Sequence, residues 1–310
     1  MNALANPVSK LPDVGTTIFT VMSALASEQG ALNLSQGFPD FDGPEALLQA
    51  VNAHMRSGQN QYPPMAGVAA LREAIAAKVS DLYGLACDAD TEITVTAGAT
   101  EALFCAIAAV VHAGDEVIVL DPAYDSYDPV IRLQGAVPVH VPLSAPTYRI
   151  DWDRIEAAIT ANTRLLILNS PHNPTGMVMD ENDIAALSAL CAKYDIYLIG
   201  DEVYEHMVFD RARHLSLCGY AELYARSFVI SSFGKTYHVT GWKVGYCVAP
   251  LALTTEFRRV HQYVTFTVNT PVQLGIADFL QQHPQHHQQL PAFYQAKRDL
   301  FCELLQDSRF

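Results

Sequence analysis

The stretch that decides the fold is "EITVTAGATEALFCAIAAVVHAGDEVIVLDP", residues 92–122. It reads as a short strand rich in β-branched residues, a turn of small and polar residues, an apolar helix and a second strand. The same order of elements repeats through the middle of the chain. Alternating strands and helices predict an α/β fold, with helices on both faces of one mostly parallel sheet.

Seven segments predict the strands of this sheet. They are residues 92–98, 115–122, 136–143, 164–171, 196–203, 227–234 and 242–249. Helical patterns lie between them, at 100–114, 151–160 and 180–194, and the last opens with an acidic first turn. In open sheets of this kind, ligands bind beyond the carboxyl ends of the strands. The residues that follow each strand are therefore the candidates for chemistry.

Composition excludes several classes of protein. The chain has 310 residues, half of them hydrophobic, which is enough for one large or two medium globular domains. A formal charge of -14 and the lack of basic runs argue against nucleic acid as a partner. The apolar runs are too short to span a membrane, and the N-terminus lacks the pattern of a secretory signal. We expect a cytoplasmic protein.

Neither the cysteines nor the histidines predict a metal site. The six cysteines contain no C-x-x-C pair and lie mostly in apolar surroundings, which is typical of buried free thiols. His283, His286 and His287 fall in "QQHPQHHQQLP", residues 281–291, among glutamines and prolines. This composition predicts a solvated linker before a final helix.

The turn in "TAGATEAL", residues 96–103, is a candidate anion site. Gly98 and Ala99 allow close approach, Thr100 adds a hydroxyl, and the following helix offers free N–H groups that suit a phosphate. An ordinary helix cap would explain Thr100 equally well.

Two further candidates have both a functional and a structural explanation. Tyr124, in "DPAYDSY", could stack on a flat ring or pack in the core. Asn173, in "NSPHNPTG", could bind a ligand or form the turn.

Two later motifs add charge to the same edge of the sheet. Asp201 follows a strongly apolar strand in "LIGDEVYEH", where a buried carboxylate needs a cation or donors, and Tyr204 is close enough to share its site. Lys235 and Lys243 lie in "SSFGKTYHVTGWKVGY", residues 231–246. If a phosphorylated pyridine ring lies over the strand ends, Asp201 can hold its ring nitrogen protonated, Lys243 can approach the phosphate, and Lys235 can form a Schiff base.

The ordered motifs resemble those of the fold type I, class I/II aminotransferases, which depend on pyridoxal 5'-phosphate. The resemblance rests on "NLSQGFPDF", "NQYPPMAGVAALREAI", "TAGATEAL", "SPHNPTG", "GDEVYEH" and "SSFGKTYHVTGWKVGYCVAP", and it runs from about residue 10 to the end. Within the family, the chain is most similar to the methionine, kynurenine and glutamine aminotransferases.

The resemblance implies a role for each candidate. Lys235, Asp201 and Tyr204 would be catalytic, with Lys235 bonded to the cofactor, Asp201 at the ring nitrogen, and Tyr204 with Asn173 at the ring oxygen. Tyr124 would stack on the ring. The positions that match phosphate contacts are Gly98, Ala99, Thr100, Ser232 and Lys243, together with Tyr62, which in the family reaches the phosphate of the neighbouring subunit of a homodimer. The positions that match substrate contacts are Gly37, Phe38, Phe19 and Asn173.

The resemblance also implies the organisation of the chain. Residues 1–45 would form an N-terminal arm and part of a small α+β domain, 46–285 the large cofactor-binding domain, and 286–310 the start of the C-terminal small domain. In the family that domain supplies an arginine for the substrate carboxylate, and this sequence ends at "QDSRF". We therefore expect a truncated chain with an incomplete small domain and substrate site. A further departure is Lys243, where many members have arginine.

The implied reaction is ping-pong transamination between an L-amino acid, of the methionine, aromatic or glutamine-like kind, and a 2-oxo acid. Two alternatives stay open at this point. A carbon–sulfur β-lyase would use the same lysine and ring contacts, and a truncated chain would also be compatible with a catalytically silent remnant.

Overall fold

The computed structural model describes residues 7–35, 37, 39 and 41–309. Within them one sheet has seven strands; six fall within a predicted segment, and β4 begins one residue before its segment. The strands are β1 (Ile93–Thr96), β2 (Glu116–Asp121), β3 (Val137–Pro142), β4 (Thr163–Asn169), β5 (Tyr197–Asp201), β6 (Ser227–Ser232) and β7 (Gly245–Val248).

The order of the strands brings the candidate motifs to one edge of the sheet. The order is β1-β7-β6-β5-β4-β2-β3. All pairings from β3 to β6 are parallel, and β7 runs antiparallel to both β6 and β1. Asn169 is paired with Asp201, and Asp201 with Ile230. The carboxyl ends of β4, β5 and β6 therefore lie side by side, and the prediction of a mostly parallel sheet is confirmed.

Helices follow the strands as the pattern predicts. The helices are α1 (Ile18–Glu28), α2 (Glu45–Arg56), α3 (Ala69–Tyr83), α4 (Gly98–Val110), α5 (Tyr127–Leu133), α6 (Trp152–Ala158), α7 (Glu181–Lys193), α8 (Ala221–Tyr224), α9 (Phe233–Thr236), α10 (Leu251–Val264), α11 (Thr270–Gln282) and α12 (His286–Leu305). The acidic start of α7 forms a capping box, in which Asp180 and Asp183 each accept a backbone N–H of the other.

Two hydrophobic cores lie on opposite faces of the sheet. Along β2, Ile118 and Leu120 point to one core, whereas Val117 and Val119 point to the other, because successive side chains of a strand alternate between faces. Helices α3, α7 and α11 contribute to the first core, and α4, α5 and α10 contribute to the second. Helices thus cover both faces, as predicted.

The prediction of a solvated linker at 281–291 was wrong. His286 begins α12, and its ring packs 5.4 Å from the rings of both Tyr237 and Phe279. His287 packs 4.9 Å from the ring of His206. Both histidines are half-buried, because aromatic contacts compensate for the polar composition of the segment. The domain limits stay a prediction, and none of the described helices is long and apolar enough to cross a membrane.

Candidate active site

A cavity of about 1170 Å³ lies beyond the carboxyl ends of β4, β5 and β6. One side is formed by the ends of the strands, and the other by α1 and the residues near it. Twelve of the fourteen candidate residues line this cavity: Phe19, Gly37, Gly98, Ala99, Thr100, Tyr124, Asn173, Asp201, Tyr204, Ser232, Lys235 and Lys243. Residues from six separate motifs, together with Phe19, are therefore brought together in one place.

The two remaining candidates do not line the cavity in this chain. Tyr62 is 83% exposed at the surface, with its ring 5.6 Å from that of Phe266. A position on the surface is compatible with a contact to another subunit. Phe38 lies outside the described residues.

The carboxylate of Asp201 is buried at the end of β5 and has one close hydrogen-bond partner. The hydroxyl of Tyr127 donates to Asp201 Oδ2 at 2.5 Å. Burial raises the pKa of Asp201 to about 6, and the hydrogen bond from Tyr127 opposes this rise. Tyr127 stays neutral, since burial and the adjacent carboxylate raise its pKa well above the ordinary value. Sequence reasoning missed Tyr127, although it lies three residues after Tyr124 in the same motif.

Asn169 is a second residue that sequence reasoning missed. Its side-chain amide donates to the Asp201 carbonyl at 2.8 Å, and its side-chain oxygen accepts the backbone N–H of Asn173 at 2.7 Å. Asn169 therefore fixes the loop of Asn173 against the end of β5. The available signal was its place as the last residue of an apolar strand, where a buried amide requires partners.

The turn at residues 97–100, called the 97–100 turn below, has room for an anion. Gly98 has a φ of +76°, and a Cβ placed there would lie 3.2 Å from Lys243 Cε. A Cβ at Gly245 would lie 2.9 Å from the backbone N of Ala99. The two glycines thus allow Lys243 and β7 to pack directly against the N-terminus of α4, where free N–H groups and the helix dipole favour negative charge.

Lys235 enters the cavity from the short helix α9. The Ser232 hydroxyl caps this helix and accepts the Gly234 N–H at 3.1 Å. Burial lowers the pKa of Lys235, and the charge of Lys243 lowers it further. The Lys235 ammonium nitrogen lies 5.5 Å from the centre of the Tyr204 ring. Burial and the charge of Asp201 raise the pKa of Tyr204 to about 12, so its hydroxyl remains a donor.

The arrangement divides the cavity by charge. Lys243 and the 97–100 turn provide a positive end that suits a phosphate, and the Asp201 carboxylate suits a protonated ring nitrogen. Tyr124 lies between them, with its hydroxyl 3.4 Å from that of Thr100. A flat ring with an anionic substituent matches these groups, and Lys235 supplies an amine whose lowered pKa favours the neutral, nucleophilic form.

Comparison with known proteins agrees with this geometry. Residues 29–310 match the family described as aminotransferase class I and II. The chain is 55% identical over 303 residues to the methionine aminotransferase of Escherichia coli, and the match covers 98% of this chain and 78% of that protein. It is 33% identical over 315 residues to human kynurenine–oxoglutarate transaminase 3, covering 96% and 69% of the two chains.

Among solved structures, the chain is again similar to aminotransferases. A crystal structure from E. coli, whose reactivity identified a methionine aminotransferase function, matches with a TM-score of 0.95 and 54% identity, over 99% of this chain and 80% of the other. The structure of N-succinyldiaminopimelate aminotransferase from Mycobacterium tuberculosis matches with a TM-score of 0.94 and 42% identity, over 97% and 79%.

Proposed function

Because the chain belongs to the class I and II aminotransferases, we propose that it binds pyridoxal 5'-phosphate and moves the amino group of methionine, or a related L-amino acid, to a 2-oxo acid. The observation that carries this proposal is that Lys235, Asp201 and the 97–100 turn line one cavity. These three features are an amine, a carboxylate and an anion site. They suit the aldehyde, the ring nitrogen and the phosphate of this cofactor, respectively.

The residues of the cavity fit the cofactor. Its phosphate would bind the 97–100 turn, Lys243 and the Ser232 hydroxyl, and its ring would stack on Tyr124. Lys243 supplies charge there without the bidentate geometry of arginine. Asp201 would pair with the ring nitrogen. Asn173 and Tyr204 would donate to the ring oxygen, and the raised pKa of Tyr204 keeps its proton available.

Each catalytic residue then has a defined task. When bound, pyridoxal phosphate supplies an aldehyde carbon that bonds to amines and a ring that accepts the electron pair left at the substrate Cα. The Lys235 amine would hold the cofactor, and once the substrate amine has taken its place, the free amine would be positioned to take the proton from Cα and to return it. Asp201, charged near neutral pH, would keep the ring nitrogen protonated. The same residues would serve the second substrate, a 2-oxo acid.

The substrate side of the cavity supports an amino acid with an apolar side chain. Phe19 lines the cavity from α1, and Phe38 has the same role in the proposal. A methionine side chain fits an aromatic wall because sulfur–aromatic contacts are favourable. The matched relatives are aminotransferases, so the β-lyase alternative is not favoured.

The proposal includes a homodimer in the cytoplasm. The exposed Tyr62 would reach the phosphate in the partner subunit, which gives a reason for an aromatic pair of Tyr62 and Phe266 at the surface. All six cysteines are free, which is typical of a reducing compartment.

The test combines a spectrum with an assay. Cofactor-free protein is titrated with pyridoxal phosphate, and transfer from methionine, phenylalanine, kynurenine or glutamine to a 2-oxo acid is then measured beside pyruvate release from a cysteine conjugate. We expect a visible absorption band and oxo acid formation, both lost in Lys235→Ala and both retained in Lys193→Ala, a change to an exposed lysine. A protein saturated with cofactor that transfers no amino group would contradict the proposal.

A further inference from the structure

A buried pair of side chains joins the 97–100 turn to the loop that carries Tyr62. Glu101 lies in the first turn of α4, and His261 lies in the last turn of α10. The Glu101 Oε1 atom is 2.8 Å from His261 Nδ1. The His261 side chain is completely buried, and the side chain of Glu101 is 8% exposed. Both side chains are held in defined positions, because a buried polar group that loses its hydrogen-bond partner costs free energy.

Each member of the pair also binds backbone. Glu101 Oε2 accepts the Ala97 N–H at 3.1 Å, and His261 Nε2 lies 3.1 Å from the Met65 carbonyl oxygen. A carbonyl only accepts, so Nε2 is the donor and carries a proton. A further proton then lies between Nδ1 and Oε1, on either atom. The result is a continuous series of hydrogen bonds from Met65 to Ala97.

The neighbouring Cys105 belongs to the same hydrogen-bonded group and not to a metal site. Its thiol donates to Glu101 Oε1 at 2.8 Å. Cysteine, histidine and glutamate are zinc ligands, but ligand atoms around a tetrahedral zinc lie roughly 3.3–3.7 Å apart, given the usual bond lengths. The separation of 2.8 Å between Nδ1 and Oε1 is that of a hydrogen bond and is too short for two ligands of one zinc ion.

The loop at the other end of the series is anchored on both sides of Tyr62. Thr270 donates to the Gln61 carbonyl at 2.6 Å, and the Ala66 carbonyl accepts the Val95 N–H at 3.0 Å. Tyr62 lies between these anchors and is exposed. The contact of Met65 with His261 therefore links this loop, through Glu101, to the 97–100 turn.

We propose that Glu101 and His261 are positioning residues for the phosphate group of the cofactor. Glu101 fixes the backbone of the 97–100 turn through Ala97. His261 holds Glu101 in place and sets the loop from which Tyr62 extends to the partner subunit. This inference rests on the proposed function. In it, one buried pair aligns both the 97–100 turn and Tyr62 for their contacts with phosphate.

The test compares two cofactor forms that differ only in the phosphate. Dissociation constants of pyridoxal phosphate and of pyridoxal are measured with cofactor-free wild type and His261→Phe. Phenylalanine keeps a ring against Phe257, whose centre lies 6.3 Å from that of His261, but makes no hydrogen bonds. We expect the dissociation constant for pyridoxal phosphate to rise about tenfold, as for the loss of one buried hydrogen bond, and that for pyridoxal to change less than about twofold.

If His261→Phe does not fold, variants of Glu101 allow the same binding experiment. In Glu101→Gln the amide can accept the Ala97 N–H and donate to Nδ1, so the affinity for pyridoxal phosphate should stay within about twofold of wild type. Glu101→Met keeps the length and removes both contacts, and should behave like His261→Phe. Arg259→Ala is the control, because this exposed residue of α10 pairs with Glu256 in the same helix.

The possible results separate the two proposals. An unchanged affinity for pyridoxal phosphate in His261→Phe and Glu101→Met, or equal weakening of pyridoxal phosphate and pyridoxal, would overturn the positioning role. So would a loss in Glu101→Gln as large as that in Glu101→Met. A wild-type protein that binds neither compound would instead contradict the proposed function, and the positioning role with it.

Discussion

The two sides of the large cavity are built differently. The sheet side includes buried residues at strand ends, such as Asp201, that are fixed by hydrogen bonds within the core. The opposite side is formed by α1, in which none of the eleven residues is buried, and by residues near it. Burial holds Asp201 in place and raises its pKa, whereas α1 has few contacts to restrict it. We propose that the sheet side determines cofactor chemistry and that the α1 side determines substrate choice.

The largest effect is expected from Asp201→Asn on the sheet side. The amide cannot hold the ring nitrogen protonated, so kcat/KM should fall by about 10²–10³-fold, as for the loss of one preorganised electrostatic contact. Because the buried charge is itself costly, the thermal stability of the cofactor-free protein should not decrease. Steady-state kinetics and thermal unfolding check both statements. Full activity in this variant would show that the sheet side does not control the chemistry.

Tyr62→Phe tests whether the second subunit contributes a phosphate contact to the cavity. If the hydroxyl contacts the partner's phosphate, its loss should weaken pyridoxal phosphate binding by about tenfold or more, the range for a hydrogen bond to a charged group. The affinity for pyridoxal should be unchanged. Titration of cofactor-free protein measures both constants. Tyr263→Phe is the control, since Tyr263 is 87% exposed, and an equal loss in the control would contradict the specific role of Tyr62.

Tyr127→Phe tests how the sheet side sets the charge of Asp201. The hydrogen bond from Tyr127 lowers the pKa of Asp201, so its removal should raise that pKa above about 6. A carboxyl group with a raised pKa makes the folded state less stable as pH rises from its unfolded pKa through its folded pKa. In cofactor-free wild type this loss should occur between about pH 4 and 6, and in the variant it should extend to higher pH.

The measurement is the free energy of unfolding from pH 4 to 8, each protein being compared with its own Asp201→Asn derivative. Tyr194→Phe is the matched control, because it removes a tyrosine hydroxyl that donates to Glu156 at 3.1 Å outside the cavity. Identical pH curves for wild type and Tyr127→Phe would refute the role given to Tyr127.

The smallest effect is expected on the α1 side, from Phe19→Ala. Loss of an apolar wall should raise KM for methionine by roughly 3–10-fold, as expected for a few methylene groups of contact, with kcat nearly unchanged. Cofactor affinity should stay the same. Ile18→Ala changes the neighbouring residue, which is 62% exposed and does not line the cavity, and should have no effect on KM. A fall in kcat for Phe19→Ala as large as that for Asp201→Asn would remove the distinction between the two sides.

The sequence predicts the sheet better than the contacts within the site. All seven strands are found because apolar β-branched runs between turns are a local signal, and the parallel order then brings Asp201 and the Ser232–Lys235 segment to one edge. Tyr127 and Asn169 were missed because their roles depend on partners that the sequence places 74 and 32 residues away. The link from His261 to Met65 spans 196 residues and has no local signal. The packing of His286 on Tyr237, which lies 49 residues earlier, was missed for the same reason.

The most direct test of the central claim is to trap the bond between cofactor and protein. Wild type saturated with pyridoxal phosphate is reduced with borohydride and digested, and the modified peptide is identified by mass spectrometry. We expect one modified residue, Lys235, and no such adduct in Lys235→Ala. Modification of Lys243 in place of Lys235, or no covalent adduct in a saturated protein, would contradict it.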